Sequence, residues 1–201
     1  MAEGARGAAR DRDDYALLWM GQGVGLGLVL DGALRTGAHG GAGEIGYLGV
    51  PGIEAPRADR GGTGAFQQLV GGQGIRALAR KHGIRGRDPA GIVGAAVAGS
   101  AGGADLLADL AAGVALGVAA VTSLLDPGLV VLAGPVALAG GAGLRDRVLA
   151  QLGQISFVKT DVVTSTLTAD GVLSGALEVA LRTVRAELFG QPSVSAPGRV
   201  G

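Results

Sequence analysis

The chain has 201 residues, enough for one substantial hydrophobic core, and its 17 Lys+Arg balance its 17 Asp+Glu. A net charge of zero leaves no basic footprint for nucleic acid, and the absence of cysteine excludes disulfides and fits a reducing, cytoplasmic setting. The N-terminus has Arg6 and Arg10 but no apolar signal-peptide core, and the apolar stretch Leu110 to Leu125 has the length of a buried helix, short of a membrane span.

The elements follow in order. Tyr15 to Met20 is an apolar β-run, with Trp19 expected in the core. It meets a glycine-punctuated turn at Gly21, Gly23 and Gly25, and a second apolar run, Leu26 to Leu30, ends at Asp31-Gly32, a two-residue hairpin turn signal. A glycine-rich loop, Gly37 to Gly46, carries one carboxylate, Glu44. Thr63 is placed to cap a helix through Val70, and Gln73 to His82 reads as another with Gly83 as its stop. Asp88-Pro89 opens a helix to about Ala98. Gly103 to Leu125 is apolar nearly all round, as a central helix would be, and Asp126-Pro127 ends it. Leu129 to Ala133 reads as a strand buried on both faces. A helix over Gly143 to Leu152, a strand over Asp161 to Ser165 and a last helix over Asp170 to Phe189 complete an α/β lobe. The tail 191–201, polar and proline-bearing, is expected to be disordered.

Two chemistries are legible in the first loops. Glycine supplies φ > 0 and leaves amides uncovered, so the turn at Gly21, Gly23 and Gly25 can admit a phosphate. The loop bearing Glu44 can offer an acceptor to a hydroxylated ligand. Together they read as the phosphate side and the sugar side of one cleft.

Residue by residue, this segment resembles the ROK family of repressors, open reading frames and sugar kinases. GAHGGAGEIGY, at Gly37 to Tyr47, matches that family's sugar loop except at its last position, and Gly21 to Gly27 resembles its second phosphate loop. More weakly, DPGLVVLAGPVALAGG resembles the strand and adenosine-side loop, and DGVLSGALEVALRTVRAELFG the closing helix. The resemblance implies the C-terminal lobe of the actin-like ATPase, or sugar-kinase, fold (ribonuclease H-like), with a β-hairpin sheet packed by several helices. Residues 1–13 would be the remnant of a preceding helix, 14–190 the lobe itself. It also implies sugar-binding roles for Glu44, Gly43 and His39, phosphate-binding roles for Gly21, Gly23 and Gly25, and an adenosine side at Gly134 and Pro135. A purely structural turn at Gly134, and a cleft-edge position for His39, remain open.

Departures from the pattern matter equally. The family's zinc-binding histidine is replaced by Tyr47 and the cysteine cluster is missing, so no zinc is expected. Asp11, Asp13 and Asp14 precede the first strand and do not match the Asn-Asp pair whose aspartate is the family's base. The expected function is therefore a sugar-binding effector lobe, derived from a sugar-responsive regulator and without catalysis or cofactor of its own. The alternative is a mis-started ROK kinase that would use ATP and Mg²⁺ on a hexose or N-acetylhexosamine. The expected partners are a small sugar and further copies of the chain, with neither nucleic acid nor membrane.

Overall fold

The structure, a computed structural model, describes residues 1–54 and 63–167 together with Gly175 and Ala180. The chain runs α1 (Ala2–Arg6), β1 (Tyr15–Met20), β2 (Val24–Leu30), β3 (Ala33–Arg35), a 3-10 turn (Ile45–Tyr47) and α2 (Ala65–Val70). Then come α3 (Gly72–Lys81), α4 (Pro89–Val97), α5 (Gly103–Leu125), β4 (Leu129–Ala133), α6 (Gly134–Ile155) and β5 (Asp161–Thr164). The helix expected over Asp170 to Phe189 and the tail 191–201 lie outside the described residues.

The strands form one sheet in the order β3-β2-β1-β4-β5. β1, β2 and β3 make an antiparallel meander, whereas β4 pairs parallel with β1 and β5 parallel with β4. Parallel neighbours require crossovers. The chain through α2 to α5 supplies the first and α6 the second. At the meander's second corner, Asp31 and Gly32 have φ 54° and 67°, the left-handed pair that a two-residue hairpin demands.

Strand alternation divides the core between two faces. Ala16, Leu18 and Met20 of β1 join Val130, Leu132 and Val162 under the helices, while Tyr15, Val29, Leu129 and Val131 pack with Ala9 on the other face. β4, the continuous apolar run LVVLA, is buried throughout. Trp19 is only half-buried, contrary to the sequence expectation. Its cross-strand partner is Gly25, which has no side chain to cover the indole.

α5 is the spine of the helical layer. Of its 23 residues, 12 are buried. The helix is longer than the apolar segment suggests, and by length and composition alone could cross a membrane. Its packing against α2, α4 and α6 identifies it as a core helix. α2 approaches closely because α5 has glycines where they cross: a Cβ on Gly117 would lie 2.3 Å from Phe66 Cζ, and one on Gly113 2.8 Å from Val70 Cγ1.

Several boundaries differ from expectation. β2 begins at Val24, not Leu26, so Gly25 is paired with Trp19 inside the strand and only Gly21 and Gly23 belong to the turn. The N-cap of α2 is Gly64, not Thr63, and makes no side-chain cap. The start of α2 is pressed against the loop after β3, where a Cβ on residue 64 would come within 2.1 Å of the Gly46 carbonyl oxygen, so glycine is required. α6 begins at Gly134 with Pro135 in its first turn, well before the expected Gly143, and breaks at Gly141 (φ 49°, ψ −142°). The glycines at 140 and 141 hide its first two turns from a periodicity argument. β3 is a short, exposed strand that its composition does not announce. The cap at Asp88 is as expected: its Oδ2 accepts from the Gly91 N–H at 2.8 Å.

Candidate functional site

The site forms where β1 and β4 end, the side on which open α/β sheets bind ligands. β1 and β4 run in register to Trp19 and Ala133, so the glycine turn after β1 and the start of α6 after β4 emerge side by side. A Cβ on Gly21 would sit 3.6 Å from Pro135 Cγ, and one on Gly134 would press to 2.5 Å from the Met20 carbonyl oxygen. Gly134 also has φ 89°, so a side chain there is opposed by both backbone strain and contact. Gly21 is thus brought together with Gly134 and Pro135, the residues expected on the phosphate and adenosine sides, with Pro135 exposed at the rim.

The glycine turn is braced from behind. Its Gly21 N–H donates to the Gly23 carbonyl at 3.0 Å, and the Gly72 N–H, at the start of α3, donates to the Gln22 carbonyl at 3.0 Å. The Arg76 guanidinium donates to Gln22 Oε1 at 3.1 Å and to the Arg87 carbonyl at 3.4 Å, which places a cation at the tip of the turn. Space around a Cβ at Gly25 is open, and only Gln67 comes near one at Gly23.

The loop carrying Glu44 is fastened to this turn. After β3 it folds back along β2, where the Leu26 N–H donates to the Gly43 carbonyl at 3.0 Å. Gly43 has φ 88°, and a Cβ there would lie 1.9 Å from the Leu26 carbonyl oxygen. The Gln67 carboxamide joins the two loops: its Oε1 accepts from the Val24 N–H at 3.4 Å and would be 3.3 Å from a Cβ on Gly46. Glu44 precedes the 3-10 turn, exposed, and its carboxylate has no hydrogen bond or ion pair among the described residues. His39 is also exposed, at the outer part of the loop, and makes no contact that would join it to Glu44.

Gln22, Gln67 and Arg76 were not singled out in the sequence. Gln22 had a signal, a polar side chain between two glycines at a turn. Gln67 and Arg76 are ordinary helical polar residues until the fold turns α2 and α3 toward the loops.

The acidic residues before β1 do not reach this site. Asp14 Oδ1 accepts from the Asp31 N–H at 2.7 Å, and the Gly32 N–H donates to the Asp13 carbonyl at 2.9 Å, so both serve the β2–β3 corner. That corner lies at the opposite end of β1 from Gly21, roughly 20 Å away at about 3.3 Å per residue. The donor set does not fit zinc either. Tyr47 takes the histidine's place with 62% of its surface exposed, and the chain has no thiolate.

The sequence matches the ROK family over residues 1–183. The chain belongs to the ROK family. It is 34% identical over 175 residues to the bifunctional enzyme NanE/NanK of Brucella melitensis, covering 87% of this chain and 32% of that protein. The solved ROK hexokinase of Thermus thermophilus superposes with a TM-score of 0.73 at 28% identity, over 91% of this chain and 62% of the hexokinase. A ROK transcriptional regulator homologous to E. coli Mlc gives a TM-score of 0.74 at 22% identity, over 87% of this chain and 47% of the regulator, which shows the fold alone. The actin-like, sugar-kinase architecture is therefore that of the ROK proteins. The chain spans about a third of the length of the curated relative.

Proposed function

We propose that this lobe binds a hexose or N-acetylhexosamine, with the Glu44 carboxylate accepting from sugar hydroxyls, and performs no phosphoryl transfer by itself. The observation that carries the reading is the free carboxylate on a loop otherwise fixed in place, through Gly43 on β2 and through Gln67 to the glycine turn. A preorganised acceptor costs little ordering on binding. The placement of the acids before β1 supports the second half: Asp13 and Asp14 serve a distant corner, and a base must lie within hydrogen-bond reach of its proton. Isothermal titration against a panel of hexoses and N-acetylhexosamines tests it. Glu44→Ala should weaken the best sugar by roughly tenfold to a hundredfold, the worth of a charge-assisted hydrogen bond. If no sugar binds, or Glu44→Ala binds as wild type does, the reading fails. A coupled ADP-release assay should show no sugar-dependent turnover by this chain.

A second reading is a lobe of a ROK sugar kinase, favoured by the likeness to NanE/NanK and to the hexokinase. ATP phosphates would then lie at Gly21, Gly23 and Gly25, with adenosine beside Gly134 and Pro135, and Mg²⁺ would neutralise charge developing on the transferred phosphoryl group. Here the chain's own part is to hold the sugar at Glu44 and the phosphates at the turn. Genomic sequence before Met1 separates the two: an in-frame Asn-Asp pair favours the kinase, and a helix-turn-helix ahead of it a regulator.

The same proposal extends to assembly in a cytoplasmic setting. Leu124 (81% exposed) and Phe157 (94%) lie at one end of the lobe, which the Thr160 Oγ1 to Pro127 carbonyl bond of 2.7 Å holds together. Contiguous exposed apolar surface marks association surfaces, and these two side chains are the proposed centre of one. Light scattering should report a dimer or larger species. A monomer at high concentration counts against it.

A further inference from the structure

Arg76 reaches the glycine turn from α3 with most of its donors uncommitted. Its two hydrogen bonds, to Gln22 Oε1 at 3.1 Å and to the Arg87 carbonyl at 3.4 Å, both use Nη1 and both end on neutral oxygens. Nε and Nη2, an edge of the guanidinium that fits a phosphate bidentately, make no bond among the described residues, and no described carboxylate lies within ion-pair distance. The surrounding chain does not cancel this charge. Lys81 and His82 share Asp109, while Arg80, Arg85 and Arg87 are exposed and have no ion pair among the described residues. The one acid between Arg76 and α4 is Asp88, whose Oδ2 accepts the Gly91 N–H as the helix cap. The position of Arg76 is built by its neighbours. The Gln22 carboxamide lies where Gly72 has no side chain, since a Cβ there would be 2.5 Å from Gln22 Oε1, and the Gly72 N–H fixes the Gln22 carbonyl. The turn also keeps donors of its own. The Gly21 N–H is committed to the Gly23 carbonyl, but the N–H groups of Gln22 and Gly23 make no bond among the described residues. Consecutive uncovered amides form a concavity for an anion.

We propose that Arg76 is the charged contact for a phosphate group seated on this turn, and that Gln22 positions it. The inference rests on reading Gly21 and Gly23 as the phosphate side, and it names the residue that supplies the charge there. The Gln22 and Gly23 amides together with Nε and Nη2 of Arg76 match the several acceptor oxygens of a phosphate group. A neutral sugar at Glu44 gains nothing from Arg76, so this residue selects ligands by charge. A nucleotide and a phosphorylated sugar carry the same headgroup, and the test separates them.

The test is an amide NMR titration of the full chain with ADP and, separately, with glucose 6-phosphate. Saturable shifts of the Gln22 and Gly23 amides are expected with at least one probe, and the probe that responds identifies a nucleotide or a sugar phosphate. Arg76→Met, which keeps the bulk of the side chain, should raise the dissociation constant about tenfold to a hundredfold, the worth of a charge-assisted hydrogen bond. Arg76→Lys keeps the charge without the fork and should fall between the two. Gln22→Ala releases the guanidinium and should weaken binding by a smaller factor. Circular dichroism checks that each variant is folded, and Arg76→Lys decides the matter if Arg76→Met does not fold. Wild-type affinity in the folded Arg76 variants would overturn the proposal and leave the phosphate reading of the turn standing. No saturable shift of Gln22 and Gly23 in the wild type would overturn both.

Discussion

Gly43 and Gly134 hold the site by what they lack. Each has a left-handed φ, 88° and 89°, and each lets another strand's backbone approach to a distance no Cβ permits, Leu26 in one case and Met20 in the other. Gly43→Ala would suffer on both counts. The left-handed conformation alone costs roughly 1–2 kcal/mol, and relieving the contact with Leu26 means lifting the loop from β2. The expected result is a loss of about 2 kcal/mol or more in urea denaturation, with sugar affinity abolished because Glu44 travels with the loop. Ala42, the neighbouring position, has negative φ and partial exposure, so Ala42→Ser should change stability by less than about 0.5 kcal/mol. Equal midpoints for Gly43→Ala and wild type would show that the loop is not fastened at Leu26.

Among elements, the α2–α5 crossing bears the most packing. Phe66 is fully buried in the groove that Gly117 opens, so Phe66→Ala should cost about 3–5 kcal/mol, and Gly117→Val should overpack the crossing by about 1–3 kcal/mol. A smaller effect from Phe66→Ala than from an exposed control such as Leu124→Ala would contradict this packing. The end of α3 and its C-cap also meet α5 through an ion pair. Asp109 Oδ2 receives hydrogen bonds from Lys81 Nζ at 2.7 Å and His82 Nε2 at 2.8 Å, which hold its carboxyl below the ordinary value of 3.8 although burial opposes them. A depressed carboxylate contributes stability that is fully present above that ordinary value and is lost as pH falls through the folded value. With 38% of the side chain exposed, the contribution is about 0.2–1 kcal/mol. Asp109→Asn should therefore unfold earlier than wild type at pH 7, with the gap closing in strong acid. A gap that widened on acidification would reverse the sign.

Elements were legible where one signal dominated. Asp88-Pro89 fixed the start of α4, LVVLA declared a strand buried on both sides, and Asp31-Gly32 forced the hairpin corner. The start of α2 was misread because its cap is dictated by Gly46, a contact from another loop that no local pattern contains. The first turns of α6 were missed because Gly140 and Gly141 look like an end rather than a break. In the proposed site, Glu44 and the glycines at 21 and 23 were expected from motif and turn chemistry, whereas Gly25 belongs to β2. Gln67 could not be expected, because only the tertiary turn of α2 brings its carboxamide between Val24 and Gly46.

At the scale of the whole molecule, Glu3 ties the first helix to the far edge of the sheet. It is 2% exposed, its Oε2 accepts from the Ala8 N–H at 2.7 Å, and its Oε1 accepts from the Ser165 hydroxyl just past β5. Ser165 in turn donates its N–H to the Leu132 carbonyl at 2.8 Å, which extends β5 along β4. A carboxylate this buried is tolerated because donors from two distant parts of the chain satisfy it. The same contact holds the 1–12 segment over Tyr15, Val29 and Val131, closing the sheet face opposite α5. Glu3→Ala would leave the Ala8 amide unpaired and the Ser165 hydroxyl with only its bonds to Leu167, as well as opening a void, at a cost of about 1–3 kcal/mol. Glu3→Gln keeps one acceptor and should lose less. Hydrogen exchange distinguishes this tie from a generic core contact. In Glu3→Ala the amides of β5 and of residues 8–12 should exchange faster, while those of α3 and α4, on the other side of the sheet, keep their protection relative to the new global stability. Uniform acceleration across all of these elements would show that Glu3 is one more core contact, and unchanged exchange at β5 would remove the tie altogether.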